Sequence, residues 1–180
     1  SIPLVDAVQF PARPVPLDPY VLGALLGDGS LTMPTREVKF CSADAEVVAA
    51  FRAGLPAGHR LRHLRRYDYV ILSGGGRGTP NLVNRAIKAL GLAGHAALTK
   101  FIPEVYLWNS PEVRLAVLQG LLDTDGCASP AAGNSVSFVS ISERLIEGGE
   151  FLVRSLGGIT RRRANGLVGP RRPNELFVIG

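Results

Sequence analysis

The sequence is poor in the residues that build disulfides, metal clusters and membrane spans. Its 180 residues include two cysteines, Cys41 and Cys127, and three histidines, with no Cys-x-x-Cys pair. We therefore predict neither a zinc site nor a disulfide framework, and expect two reduced thiols. No apolar run approaches the ~18 residues that a membrane span needs. These absences lead us to expect a soluble, cytoplasmic protein without a membrane partner.

Lysine is also scarce, and arginine supplies most of the positive charge. The lysines are Lys39, Lys88 and Lys100, whereas the chain carries 20 basic and 15 acidic residues and a net charge of +5. This excess favours an anionic partner such as nucleic acid. Hydrophobic residues make up 46% of the chain, which is typical of one globular domain or two small fused ones.

A short pattern occurs twice, at residues 21–29 and 118–126. Each copy is an apolar helical run that ends in a small residue, Asp and Gly. Each predicted helix starts with a capping residue and a proline, at Asp18-Pro19 and at Ser110-Pro111. A hairpin, a second helix and a basic strand pair follow in both places, so the pattern indicates an internal duplication.

The duplication predicts how the chain is divided. Residues 1–17 are expected to be an extended lead-in, because they are rich in proline and lack a helical period. Residues 18–103 would form the first half together with a connector helix. Residues 104–180 would form the second half.

Small residues on the two motif helices predict how these helices meet. Gly23 and Gly27 are four residues apart, as are Gly120 and Thr124, so each pair lies on one helix face. Packing through these faces would bring Asp28 and Asp125 side by side. Two close carboxylates suit a divalent cation such as Mg²⁺. The alternative is that both are ordinary aspartates at helix ends.

The two motifs resemble the motif pair of LAGLIDADG homing endonucleases, in particular the single-chain endonuclease domains of inteins. The resemblance extends from Leu17 to the end of the chain. It implies an α+β fold of two αββαββ halves related by a pseudo-twofold axis. Each half would offer an antiparallel β-saddle to duplex DNA, with the motif helices at the central interface of a monomer.

The resemblance also implies a reaction, the site-specific cleavage of both DNA strands by phosphodiester hydrolysis with short 3′ overhangs. Asp28 and Asp125 would be catalytic metal ligands, with Gly27 and Thr124 beside them in the metal site. Mg²⁺ would be the cofactor; Mn²⁺ would substitute for it, and Ca²⁺ would allow binding without cleavage. Residues 100–103 match the Lys-x-x-Pro block of intein endonucleases, which implies a catalytic role for Lys100. The alternative is a solvated lysine before a proline turn.

Arginine-rich strand pairs occur at equivalent places in the two halves. Guanidinium groups on a sheet face can contact phosphates or the edges of guanine. Solvated surface charge is the alternative for any single residue. The predicted DNA-binding residues are Arg36, Lys39, Arg60, Arg62, Arg65, Arg66, Arg161, Arg162, Arg163, Arg171 and Arg172.

Two other functions remain open at this point. One is a sequence-specific DNA-binding module that has lost cleavage, and the other is an RNA maturase. Retention of both aspartates and Lys100 argues against the first, and the intein-like first motif argues against the second. The sequence lacks a splicing-block pattern at Ser1 and a terminal His-Asn, so we do not predict self-splicing.

Overall fold

A computed structural model describes residues 5–32, 37–75, 78–129, 135–164 and 174–179. The helices of these ranges are α1 (Pro19–Asp28), α2 (Ala45–Ala53), α3 (Leu82–Ala89), α4 (Glu104–Leu107), α5 (Pro111–Asp125) and α6 (Glu143–Ser155). The strands are β1 (Gly29–Ser30), β2 (Lys39–Cys41), β3 (His59–Arg65), β4 (Asp68–Ser73), β5 (Gly126–Ser129), β6 (Ser135–Ser140), β7 (Ile159–Ala164) and β8 (Asn174–Ile179). No helix in the described ranges is both long enough and apolar enough to cross a membrane.

The strands form two antiparallel sheets with equivalent strand order. The first sheet has the order β1-β2-β4-β3 and the second has the order β5-β6-β8-β7. In each half a long motif helix, α1 or α5, leads directly into the edge strand, and a second helix precedes the last two strands. The predicted α+β class with antiparallel sheets is confirmed. The pseudo-twofold axis and the boundaries of the two halves stay predictions.

Local capping explains where most helices begin. Asp18 precedes α1, and its carboxylate accepts a hydrogen bond from the Val21 N–H at 3.0 Å. Asn81 and Ser142 cap α3 and α6 in the same way. Ser110 stands at the N-cap of α5, but its side chain makes no capping hydrogen bond to the backbone. Pro111, whose ring suits the first helical position, therefore marks this start.

The glycines that end the motif helices are required because the chain passes very close to the preceding helical turn at these positions. Gly29 and Gly126 have extended backbones, with φ of −88° and −82°, so the chain passes straight from helix to strand. A Cβ on Gly29 would lie 2.7 Å from Leu25 Cα, and one on Gly126 would lie 3.0 Å from Leu122 Cα. Each glycine thus lets the edge strand start directly against the preceding helical turn.

The core is centred on α1 and α5 and continues under both sheets. Val21, Leu25 and Leu121 are completely buried on these helices. Under the first sheet, Phe40 of β2 stacks on Phe51 of α2 with ring centroids 4.1 Å apart. Burial of these apolar side chains is the main force that holds α1 and α5 together.

Residues 5–17, the described part of the segment before α1, form neither helix nor strand, but they are anchored to the second half. Arg114 of α5 is fully buried, and its guanidinium donates hydrogen bonds to the carbonyls of Val8, Asn109 and Ser155. The Asn109 side chain accepts a hydrogen bond from the Arg13 N–H at 3.1 Å and donates one to the Arg13 carbonyl at 3.0 Å. The predicted lead-in is therefore a packed part of the fold.

Candidate functional site

The motif helices approach so closely that their backbones touch at two glycines. A Cβ on Gly23 would lie 2.9 Å from the Leu121 amide nitrogen, and it would lie nearer still to the Val117 carbonyl oxygen. A Cβ on Gly120 would lie 2.8 Å from the Ala24 amide nitrogen. The small faces identified in the sequence therefore form the contact between α1 and α5, where a larger side chain would separate the helices.

The same contact brings the C-terminal ends of the two helices together. A Cβ on Gly27 would lie 3.0 Å from Thr124 Cβ and 3.4 Å from Asp125 Cγ. The Thr124 hydroxyl donates back into its own helix, to the carbonyls of Gly120 at 2.9 Å and Leu121 at 3.1 Å. Asp125 consequently lies against the residue that precedes Asp28.

The two aspartates share an environment that disfavours their negative charges. Burial raises the pKa of Asp28, and the positive charge of Lys100 acts in the opposite direction. Burial and, next, the negative charge of Asp28 raise the pKa of Asp125 to about 6, again against the effect of Lys100. Two carboxylates in this situation are stabilised by a cation placed between them.

Lys100 lies beneath these aspartates and is not a solvated charge, since it is only 5% exposed. Its ammonium donates to carbonyl oxygens at the end of α1 and the start of β1, namely those of Leu25 (3.2 Å), Leu26 (2.8 Å), Gly27 (2.8 Å) and Gly29 (2.8 Å). An ammonium has three hydrogens, so four acceptors occupy all of its donor capacity. Lys100 therefore supplies hydrogen bonds to carbonyls at the end of α1, and it positions the segment that carries Asp28.

Burial lowers the pKa of Lys100 to about 8, although the charges of Asp125 and Asp28 oppose this shift. The chain thus holds one buried cation and two partly buried carboxylates within a single cluster. When both carboxylates are ionised, they outnumber the one ammonium, so the cluster carries an excess of negative charge.

The donor set fits a hard divalent ion that keeps part of its water shell. Asp28 and Asp125 supply carboxylate oxygens, which Mg²⁺ prefers, and water or phosphate oxygens can complete its coordination. Among the described residues, no three His, Cys, Asp or Glu side chains come together to form a closed protein cage. The Gly27 carbonyl accepts from the Lys100 ammonium at 2.8 Å, and the place of Gly27 in the metal site stays a prediction.

On the first sheet, three predicted DNA-binding residues share one exposed face. Lys39 pairs with Val70 across β2 and β4, and Val70 pairs with Arg62 across β4 and β3. Arg60 lies two residues before Arg62 and therefore on the same face. Phe40 and its ring contact with α2 lie on the opposite face. Lys39, Arg60 and Arg62 thus form a basic surface that points away from the core, which we call the first basic face.

The hairpin between β3 and β4 carries two more of the predicted arginines. Arg65 is highly exposed and forms an ion pair with Asp68 at 3.6 Å, next to an irregularity in the strand pairing. Arg66 lies in the turn and has a positive φ of 47°. Both guanidinium groups lie at the tip of the hairpin, beyond the first basic face.

On the second sheet, the structure separates three arginines that the sequence grouped together. Arg162 lies on the face that packs against α6 and forms ion pairs with Glu143 at 3.7 Å and Glu150 at 3.9 Å. Arg161 and Arg163 are exposed on the other face by strand alternation. Arg162 therefore does not share their surface, a correction that the alternation itself could have supplied. Arg36, Arg171 and Arg172 lie outside the described residues.

A groove that the sequence did not predict opens beside Asp28. It has a volume of about 350 Å³ and is lined by residues 27–32, His95, Ala96, Ala97 and Lys100. His95 belongs to no motif and lies in the connection between α3 and α4, so no sequence signal marked it.

A family model matches part of the predicted second half. Residues 112–176 match the model of the LAGLIDADG-like domain. The match includes α5 and the strands of the second sheet up to β8, so it covers Asp125 and the exposed arginines of β7.

A curated relative of the chain is a much longer protein. Over 157 residues the chain is 29% identical to the replicative DNA helicase DnaB of Mycobacterium intracellulare. The matched region is 87% of this chain but only 22% of that protein. The chain therefore corresponds to about a fifth of its relative.

Solved structures show the same fold over nearly the whole chain. Mesophilic variants of the homing endonuclease I-DmoI match with a TM-score of 0.59 and 12% identity, covering 91% of this chain and 88% of theirs. I-DmoI in complex with DNA and Ca matches with the same TM-score and identity, covering 91% of this chain and 82% of that one. The LAGLIDADG fold predicted from the two motifs is confirmed, whereas the intein type stays a prediction.

Proposed function

We propose that this protein is a site-specific, Mg²⁺-dependent endonuclease that cuts both strands of duplex DNA. The observation that carries the proposal is the meeting of Asp28 and Asp125 at the ends of two helices in backbone contact. The shared fold supports it, because I-DmoI has been crystallised with DNA together with Ca, Mn or Mg.

Each part of the site has a distinct task in this proposal. Mg²⁺ bound between the carboxylates would activate water and stabilise the leaving oxygen of a phosphodiester. Asp28 and Asp125 supply the charge that holds the ion, and Mn²⁺ would substitute while Ca²⁺ would support binding alone. Lys100 is assigned a positioning role, because its donor capacity is occupied by the carbonyls of α1.

The exposed arginines and Lys39 would hold the DNA. The first basic face and the pair Arg161 and Arg163 lie on separate sheets of the same chain. Contacts of these groups with phosphates would set the register of the duplex, and contacts with guanine edges would read its sequence. We propose that a monomer binds one duplex, with each sheet over one half of the target and the scissile phosphates above the aspartates.

We also propose that the domain is of the intein type and acts inside the cell. An endonuclease domain carried within a host protein would match only a fraction of a longer relative, as this chain matches 22% of a replicative helicase. Cleavage across the two sites of such a domain would leave short 3′ overhangs.

The test is cleavage of a randomised duplex-DNA library in the presence of Mg²⁺, followed by sequencing of the cut ends. The proposal predicts recurrent ends with one fixed stagger. These ends should disappear with Asp28→Asn but persist with Asp123→Asn, which changes an exposed neighbour of the site. Retention of duplexes without cutting would instead indicate a DNA-binding module, and preference for structured RNA would indicate a maturase.

A further inference from the structure

The groove beside Asp28 contains a side chain with a free reactive nitrogen. We propose that His95 is a catalytic residue that takes the proton of the attacking water during cleavage of one DNA strand. This inference rests on the proposed endonuclease function. It is carried by the position of His95 in the groove, by the fixed orientation of its ring, and by the commitment of Lys100 elsewhere.

A backbone contact fixes the loop that carries His95 to the segment after Asp28. The Gly94 N–H donates to the Leu31 carbonyl at 2.8 Å, and Leu31 is buried three residues beyond Asp28. Gly94 has a φ of 88°, a conformation that only glycine adopts readily. The loop is therefore held against the wall of the groove, with His95 next to its anchoring residue.

Two contacts fix the ring of His95. Its Nδ1 lies 2.8 Å from the Thr99 carbonyl oxygen, and since a carbonyl only accepts, Nδ1 carries the hydrogen. The ring also meets Phe101 edge to face, with centroids 5.4 Å apart. Nε2 has no hydrogen-bond partner within the part of the chain that the structure describes. In the neutral ring, Nε2 is therefore an oriented base.

The remaining polar groups of the groove suit this assignment. The ammonium of Lys100 already donates to four carbonyls, so it has no hydrogen left for the reacting phosphate. Asp28 is assigned to the cation. His95 is thus the side chain in the groove with an uncommitted basic atom.

The proposed step balances as an ordinary hydrolysis. The water oxygen bonds to phosphorus while Nε2 accepts one of its protons. The bond from phosphorus to the leaving nucleotide oxygen breaks, and that oxygen takes a proton from solvent. The imidazolium then releases its proton to solvent, which restores the neutral ring.

The residue has no equivalent on the side of Asp125. The three histidines are His59, His63 and His95, so residues 104–180 contain none. If His95 serves the strand bound above Asp28, its loss should slow the cleavage of that strand alone.

The experiment uses a supercoiled plasmid that carries a site recovered from the library selection, with strand-specific end mapping. His95→Asn keeps an amide donor where Nδ1 lies but has no nitrogen at the place of Nε2. We expect it to slow one strand by about a hundredfold or more, as loss of a general base does, so that nicked circles accumulate. The other strand should keep its rate, and the affinity for DNA in Ca²⁺ should be unchanged.

Matched variants complete the test. His63→Gln, on the sheet face opposite Arg62, should leave both strand rates unchanged. If His95→Asn does not fold, His95→Gln replaces it in the test. The amide of this variant cannot accept a proton, so it should show the defect expected of His95→Asn. Equal slowing of the cleavage of both strands would overturn the role of His95, and so would unchanged cleavage of both. Failure of the unaltered protein to cut either strand would instead reject the endonuclease function itself.

Discussion

Replacing Asp125 by asparagine should stabilise the protein when no divalent cation is present. The pKa of this carboxyl is raised from 3.8 to about 6, first by burial and then by the charge of Asp28. A difference of this size corresponds to roughly 3 kcal/mol at neutral pH for a fully buried group. Because Asp125 is partly exposed, we expect about 1–2 kcal/mol, which is a rise in Tm of about 2–8 °C for a domain of this length.

The pH dependence of this gain has a defined sign. A carboxyl whose pKa is raised by folding destabilises the folded state while it is ionised. The penalty is complete above a pH of about 6 and disappears as the pH falls towards 3.8. The Tm difference between Asp125→Asn and the unaltered protein should therefore be largest near neutral pH and vanish near a pH of about 4.

Thermal unfolding with EDTA and with Mg²⁺ provides the assay. Mg²⁺ should raise the Tm of the unaltered protein, because it binds the folded state, and it should have little effect on Asp125→Asn. Asp123→Asn is the matched control, since Asp123 is exposed and only accepts a hydrogen bond from the Tyr20 hydroxyl. A lower Tm for Asp125→Asn in EDTA would refute the view that the two carboxylates repel each other in the empty site.

Three further changes test the packing, the lysine and the DNA surface. Gly120→Ala adds about 1 kcal/mol of helix propensity, but its Cβ would meet the backbone of α1. We therefore expect the free energy of unfolding to fall by about 2 kcal/mol. Equal or higher stability in urea unfolding would contradict the close contact, and Ala49→Gly on the exposed side of α2 measures the propensity alone. Lys100→Met should lower both cleavage and stability, the latter by about 2–4 kcal/mol, because it leaves carbonyls of α1 without a donor. Lost cleavage with unchanged Tm would show that Lys100 acts on the substrate itself, and Lys88→Met is the surface control. Arg62→Glu should weaken DNA binding and reduce its salt dependence by about one or two ion equivalents, whereas Arg52→Glu on α2 should change neither. An unaltered salt slope would remove Arg62 from the interface.

Features encoded by local chemistry were predictable from the sequence. The Asp18-Pro19 and Ser110-Pro111 starts predict α1 and α5, and the Asp-Gly endings predict where these helices stop. The spacing of the small residues predicts which faces of α1 and α5 meet. These features were accessible because each depends on residues within a few positions of one another.

Features that depend on distant contacts were not predictable. A motif marks Lys100 in the sequence, but its carbonyl partners lie at the end of α1 and the start of β1, more than seventy positions earlier in the chain. Arg114 is buried because residues of the lead-in, of the turn before α5 and of α6 all converge on it. Strand alternation separates Arg162 from Arg161 and Arg163, but which side of β7 faces the core depends on how α6 packs against the sheet.

The central claim is that Asp28 and Asp125 hold the ion that cleaves DNA and are not required for binding it. The most direct measurement compares binding and cutting of a recovered target duplex by the Asp28→Asn and Asp125→Asn variants. The account predicts that both variants bind the duplex in Ca²⁺ as tightly as the unaltered protein and cut neither strand in Mg²⁺. Cutting by either variant at the rate of the unaltered protein would contradict the assignment.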